Sequence, residues 1–360
     1  MANDTINIET MRLPAEWERV GAVLIAWPHA DTDWAYMLNQ ITDCYIRICE
    51  ALSTVTTIII ATPNHSPLLP RLLMSDINLD RIQWFTVDTY DTWTRDYGPI
   101  VTTADKDTWL INDFKFNGWG LKFASDRDNM VTGRLCRNGA LMGEYVNRLG
   151  FVLEGGSIES DGKGTILTTS RCLMSPNRNG DLNQQQIEDK LKEYLGAKRI
   201  LWLNHGCLEG DDTDSHIDTL ARLAPDDTIL YVRCEDRTDV HFEELEAMRL
   251  ELESFTTTEG RPYRLLSLPL PDAIFDEDGK RLPATYANFL IVNDTVFLPT
   301  YNQPEKDEIA KATLQSAFPD RNIVPVDCSE LIFQHGSLHC ATMQLPFEIL
   351  PLCPTPSEQE

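Results

Sequence analysis

Cys340 directly follows His339 in "GSLHCATMQLP" (residues 336–346), and a thiol so placed has three options: metal ligand, inert buried side chain or nucleophile. Zinc would need more ligands than this stretch aligns. His335 and His339 are of the right type, but Gly336 weakens a helix that would stack them. In a strand, adjacent His339 and Cys340 would point to opposite faces, and no second cysteine pair completes a site. Three other stretches concentrate polar chemistry. "DTWTRDYGP" puts Arg95 and Asp96 in a loop closed by Gly98 and Pro99, where Asp96 can serve a reaction or a local salt bridge. "EGDDTDSHIDTLARL" sets Asp211, Asp212, Asp214 and Asp218 around His216. If "SHIDTLARL" is extended, alternation puts His216 and Asp218 on one face and Ile217 on the other. A calcium loop is the rival reading, but the spacing lacks the turn glycine and closing glutamate that it needs. In "LEGGSIESDGKGTILTT", Glu154 precedes two glycines that either let backbone approach a ligand or make a turn.

A cysteine, a histidine and several carboxylates without a metal motif are the equipment for thiol-based covalent catalysis, with the imidazole shuttling protons. Two substrate classes fit. A thiol amidase or protease needs one orienting carboxylate or amide and backbone donors for an oxyanion. A guanidine-modifying enzyme needs more acids, because a planar cation that stays charged offers several N–H donors for carboxylates to accept. The surplus acids favour the second.

The elements that position these residues recur along the chain. An apolar strand-like run, a turn, an amphipathic helix-like segment and a second strand-like run follow one another five times, starting near 22, 108, 165, 228 and 289. In the last copy Asn293-Asp294 predicts a hairpin turn and Pro304 a helix start, and in the copy from 165 Gly196 predicts a helix stop. A doubly wound parallel sheet would also alternate strand and helix. The absence of a Gly-rich phosphate loop favours a ring of similar units instead. No linker or low-complexity tract divides residues 1–360, and only the tail "PTPSEQE" looks loose.

With 31 Lys+Arg against 56 Asp+Glu, the formal charge of −25 repels nucleic acid and anionic lipid surfaces while attracting a cationic substrate. Nine cysteines without a CxxC pair suggest reduced thiols in a cytosol. The first twenty residues lack a basic and apolar export pattern, and runs such as "AVLIAW" are too short to span a bilayer, so a cytoplasmic location is expected. Homo-oligomerisation is the usual habit of acidic enzymes of this size.

Seven ordered stretches, "AEWERVGAVLIAWPH", "WTRDYGPI", "FKFNGWG", "LEGGSIESDGKGTILTT", "GDDTDSHIDTLARL", "ATYANFLIVNDTVFLPTYNQP" and "GSLHCATMQLP", resemble the agmatine deiminases, part of the group that includes the Porphyromonas-type peptidylarginine deiminases. The resemblance covers about residues 12 to 350. It implies an α/β pentein fold, a five-fold pseudosymmetric propeller of ββαβ units around a central site, with residues 1–360 as one catalytic domain. It implies hydrolysis of agmatine to N-carbamoylputrescine and ammonia without metal or organic cofactor. By position, Cys340 would be the nucleophile that becomes an amidino-cysteine and His216 the general acid and base. Asp96 and Asp218 would grip the guanidinium, with Glu154 beside them, Trp93 as an apolar wall and Asp212 as a further substrate contact. Two positions depart from the commoner pattern. Asp214 and Ser215 stand where many relatives have Asn-Gly, and Ser337 lies in a stretch that is often all glycine. The extra acid at Asp214 is expected to suit an amine tail and disfavour the α-carboxylate of arginine.

Free arginine or peptidylarginine is the alternative substrate. A binding pentein would not need Cys340, His216 and paired acids together, and a thiol amidase would accept neutral amides and have little use for Asp96 plus Asp218. A guanidine-based haloacetamidine inhibitor against a neutral peptide aldehyde separates the enzyme classes.

Overall fold

The computed structural model describes residues 10–105 and 107–351. Part of the export-signal reading, the loose tail and Cys353 lie outside the described residues. Five small sheets account for the strands. The first holds β1 (Val20–Ala26), β2 (Thr57–Thr62) and β3 (Ile82–Thr86). The second is β4 (Ile100–Thr103), β5 (Trp109–Lys115) and β6 (Glu144–Val152). The third is β7 (Ile158–Ser160), β8 (Thr165–Thr169) and β9 (Arg199–Leu203), and the fourth β10 (Ala221–Ala224), β11 (Thr228–Arg233) and β12 (Arg264–Pro269). The fifth is β13 (Leu290–Val292), β14 (Thr295–Thr300) and β15 (Asn322–Asp327).

In sheets two to five the first strand pairs antiparallel with the second, and the second parallel with the third. A parallel pair needs a long crossover, and a helix supplies it. The helices are α1 (Leu38–Leu52), α2 (Val131–Arg137), α3 (Gln184–Leu195), α4 (Phe242–Ser254) and α5 (Pro304–Ala317), one between the parallel strands of each unit. The first sheet borrows its antiparallel strand from the far end of the chain: β16 (Met343–Pro346) pairs with β1. That pairing closes the ring. α1 packs against β15, α5 against β12 and α4 against β9, so these helices fill grooves between neighbouring blades.

The local signals act as their chemistry dictates. Asn293 adopts φ 52° in the two-residue turn between β13 and β14, Pro304 opens α5, and α3 runs from an Asn183/Gln186 capping box to Gly196 at φ 67°. Three unit starts read near 108, 165 and 228 each fall one strand late, since β4, β7 and β10 precede them. Among the described residues no helix is long and apolar enough to cross a membrane, and the eight cysteines are free.

Candidate active site

The innermost strands are short and buried, and the residues just ahead of them come together. Asp96 lies four positions before β4, Gly156 two before β7, Asp218 three before β10, Asn288 two before β13 and Cys340 three before β16. Equivalent ends of five similar units must meet near the axis of a ring, so chemistry scattered over 245 positions of sequence is gathered without any long-range motif. A methyl group added at Gly156 would stand 2.7 Å from His216 Nδ1, 2.8 Å from Asp96 Oδ1 and 3.1 Å from Asp218 Oδ2. Glycine is required there by close approach.

His216 and Asp218 converge by a different route from the extended chain expected. Ile217–Thr219 forms a 3-10 turn, closed where Thr219 Oγ1 donates to the His216 carbonyl at 2.8 Å, and β10 begins only at Ala221. Arg95 and Asp96 likewise sit on one helical turn, Thr94–Tyr97, and diverge. Arg95 reaches away to Glu16 and Gln344. Asp96 accepts from Trp119 Nε1 at 2.9 Å and from the Gly156 N–H at 3.0 Å.

Cys340 is buried at the end of a cavity of about 330 Å³ whose walls include Trp93, Asp96, Trp119, Asp212, Asp91, Asp33 and His335. Asn288 holds it twice: its Oδ1 accepts from the Cys340 N–H at 3.1 Å and its Nδ2 lies 3.2 Å from Sγ. Asp218 Oδ2 lies 3.5 Å from the same sulfur, while Asp218 Oδ1 and both ring nitrogens of His216 are buried without a hydrogen-bond partner among the described residues. Buried polar atoms without partners are costly, and the His216 and Asp218 side chains that carry them converge on Gly156 beside Asp96.

Burial first, then the Asp218 and Asp96 carboxylates, hold the Cys340 thiol well above its ordinary pKa. Burial also opposes a charged His216, but the Asp96 carboxylate, ahead of Cys172 and Glu154, outweighs it and raises that pKa well above the usual imidazole range. Asp96 is pushed up to about 6, chiefly by burial. Asp218 shares that burial, yet the hydrogen bond and charge of His339 bring its pKa below the usual value. A cation entering among these groups would favour thiolate and both carboxylates at once.

Two residues expected to touch substrate stand elsewhere. Asp214 adopts φ 67°, and Lys122 Nζ at 2.8 Å and Arg178 at 2.6 Å occupy its two oxygens, so it is neutralised away from the cavity wall and cannot hold an amine tail. Glu154 is fully buried with Arg178 Nε 2.9 Å from both its oxygens, and it lies behind His216 beside Cys172. Asp212 and Trp93 do line the cavity. Ser337 bonds Tyr301 Oη at 2.8 Å instead of facing the site.

His335 and His339, weighed as metal ligands with Cys340, separate: His335 lines the cavity, whereas His339 joins Glu16 and Glu159 on the other side of Asp218. The Arg222 guanidinium already bonds all three members of that group. Asn288 lies within "ATYANFLIVNDTVFLPTYNQP" but was not singled out as a site residue. Its signal was positional, two residues ahead of β13.

A ring of five ββαβ blades is the pentein fold, and here a thiol, an imidazole and two aspartates stand at its blade ends. An amidinotransferase from Microseira wollei shares this fold at 11% identity, with a TM-score of 0.51 over 93% of this chain and 96% of that one. Residues 12–346 match the model of the Porphyromonas-type peptidyl-arginine deiminases, and the chain belongs to that family. A solved structure described as the "Putative Arginine Deiminase from Porphyromonas gingivalis" is 45% identical, with a TM-score of 0.88 over 95% of this chain and all of that one. A cysteine-to-serine variant of the C. jejuni agmatine deiminase, solved with substrate bound, is 36% identical, with a TM-score of 0.86 over 95% of this chain and 97% of that one. A protein of Vibrio parahaemolyticus named "Putative agmatine deiminase" is 33% identical over 355 residues, 92% of this chain and 96% of its own.

Proposed function

We propose that the protein is a deiminase of a small guanidine bearing a second positive charge, agmatine above all, and that it releases ammonia and N-carbamoylputrescine. The observation that carries the reading is the cavity wall: Asp33, Asp91, Asp96 and Asp212 line it, and no lysine or arginine does among the described residues. A dication finds acidic side chains along this wall. The α-carboxylate of arginine finds none of the cations it would need. Relatives described as agmatine deiminases agree with this reading.

In the proposed reaction Asp96 and Asp218 take the guanidinium N–H groups, which turns the central carbon toward Cys340. The substrate's charge favours loss of the thiol proton to solvent, while His216 enters the step protonated. The thiolate then adds to that carbon, His216 protonates one nitrogen, and ammonia leaves an amidino-cysteine that retains the amine tail. His216 next takes a proton from water, whose oxygen adds to the same carbon. Collapse breaks the C–S bond and restores the thiolate, and the ureido product leaves as its hydroxyl proton passes to solvent, where the released ammonia takes it up. A cysteine-to-serine variant that holds substrate in the C. jejuni relative supports the place of the thiol in this scheme.

Side-by-side assays of ammonia release from agmatine, free arginine and an internal-arginine peptide test the substrate. The expected kcat/KM for agmatine exceeds that for arginine by on the order of 10²–10³, since a buried like-charge contact costs several kcal/mol. Equal or better use of arginine or of the peptide would overturn the reading.

Acidity gives a second check. Asp96 must be ionised to hold a cation, and its pKa is about 6, so below that value kcat/KM for agmatine loses a further factor of about ten per pH unit, on top of the dependence that the raised Cys340 thiol sets. An acid limb near pH 4 instead would show that Asp96 does not meet the substrate as a carboxylate.

A further inference from the structure

We propose that His339 is a positioning residue whose Nδ1–H fixes the Asp218 carboxylate between itself and Cys340, leaving Asp218 Oδ1 open toward the guanidinium. The inference rests on the proposed deiminase reaction. Asp218 Oδ2 lies 2.8 Å from His339 Nδ1, 3.3 Å from Asn288 Nδ2 and 3.5 Å from Cys340 Sγ, so three groups compete for one oxygen while the other has no partner. Of the three, only the imidazole stands at a short hydrogen-bonding distance. A carboxylate fixed through one oxygen presents the other in a set direction.

The ring is itself held. His339 Nε2 lies 2.8 Å and 3.0 Å from the two Glu16 oxygens and 3.0 Å from Arg222 NH2. Arg222, fully buried on β10, also donates to the Ala287 carbonyl at 2.9 Å and the Phe289 carbonyl at 2.7 Å and pairs with Glu159 on β7, and Arg95 meets Glu16 at 3.1 Å. The network thus joins the third, fourth and fifth blades to the segment ahead of β16. Its backbone counterpart is Asn288, whose carbonyl accepts from the His339 N–H at 3.1 Å while its side chain accepts from the Cys340 N–H. Consecutive side chains then part around Asp218, the thiol toward the cavity and the imidazole behind.

The two ring nitrogens can be tested separately. Asparagine at 339 can place its amide N–H where Nδ1 stands, whereas glutamine reaches the place of Nε2. His339→Gln is expected to lower kcat/KM for agmatine by about 10² or more, with kcat and KM both affected, as for a misplacement of about 1 Å. His339→Asn should stay within about tenfold of wild type, although it gives up the Glu16 contact. Agmatine binding to each variant in a Cys340→Ala background, followed by calorimetry, should weaken about tenfold for the glutamine form only. A merely structural histidine would affect both variants alike, so equal kinetics for the two would overturn the inference. If both fail to fold, the tautomer of the wild-type ring decides: nitrogen NMR of His339 should find Nδ1 protonated, and a proton on Nε2 alone would remove the imidazole's hold on Asp218. An inactive wild-type enzyme would sink the proposed function itself, a result distinct from active wild type with equal variants.

Discussion

Cys340→Ala is expected to give a folded protein that releases no measurable ammonia from agmatine, a loss of at least about 10⁴ in kcat. The substitution removes one sulfur from the end of a cavity, and its partners there are an amide nitrogen 3.2 Å away and a carboxylate oxygen 3.5 Å away. Both have other contacts, since Asn288 still accepts from the backbone N–H of residue 340 and Asp218 still meets His339. The cost to stability is therefore on the order of 1 kcal/mol, and thermal unfolding should shift by only a few degrees. Removing the thiol also lifts its proton from between two carboxylates. The variant should bind agmatine at least as well as wild type, which calorimetry can read without turnover. Retained ammonia release would return Cys340 to an ordinary buried thiol.

Asp218→Asn is expected to lower kcat/KM by about 10³, through kcat and KM together. The shape of the side chain is kept, but one of the two charges proposed to meet the guanidinium is lost in a fully buried place, where charge-assisted hydrogen bonds are at their strongest. The amide must also face His339 Nδ1 at 2.8 Å, so either its oxygen turns there and its N–H₂ points at the guanidinium, or the contact with His339 is lost. Both outcomes misplace the substrate carbon. Steady-state kinetics with a circular-dichroism check of folding measures the effect, and wild-type kinetics in a folded variant would contradict the carboxylate pair.

Much of this arrangement was legible in the sequence because the ββαβ unit carries its own periodicity. β8, α3 and β9 announce themselves by "TILTT", a capped amphipathic stretch and "RILWL". The inner strands did not. "IES" and "ARLA" are short, and each carries a charge, Glu159 or Arg222, that is buried only because the two neutralise each other across blades. Cys340, His216, Asp96 and Asp218 stood out by chemical type, and the ring brings them together. Asp214 stood out for the same reason and misled, since its neutralising partners Lys122 and Arg178 lie 92 and 36 positions away. Glu154 was visible as an acid at a strand end, but its partner Arg178 arrives from a separate one-turn helix, Pro176–Asn179. Asn288 and the far side of His339 lie within the ordered stretches, yet nothing in their chemical type marks the roles they take. Their significance comes only from which blade ends face the axis.

The most direct test of the central claim is to quench the enzyme with acid during turnover of agmatine and map the peptides by mass. The account predicts an adduct on Cys340 and on no other cysteine, equal to agmatine less ammonia, that disappears as substrate is exhausted and is absent from His339-intact Cys340→Ala protein. Sustained ammonia release with Cys340 unmodified at every time point would contradict covalent catalysis at this thiol.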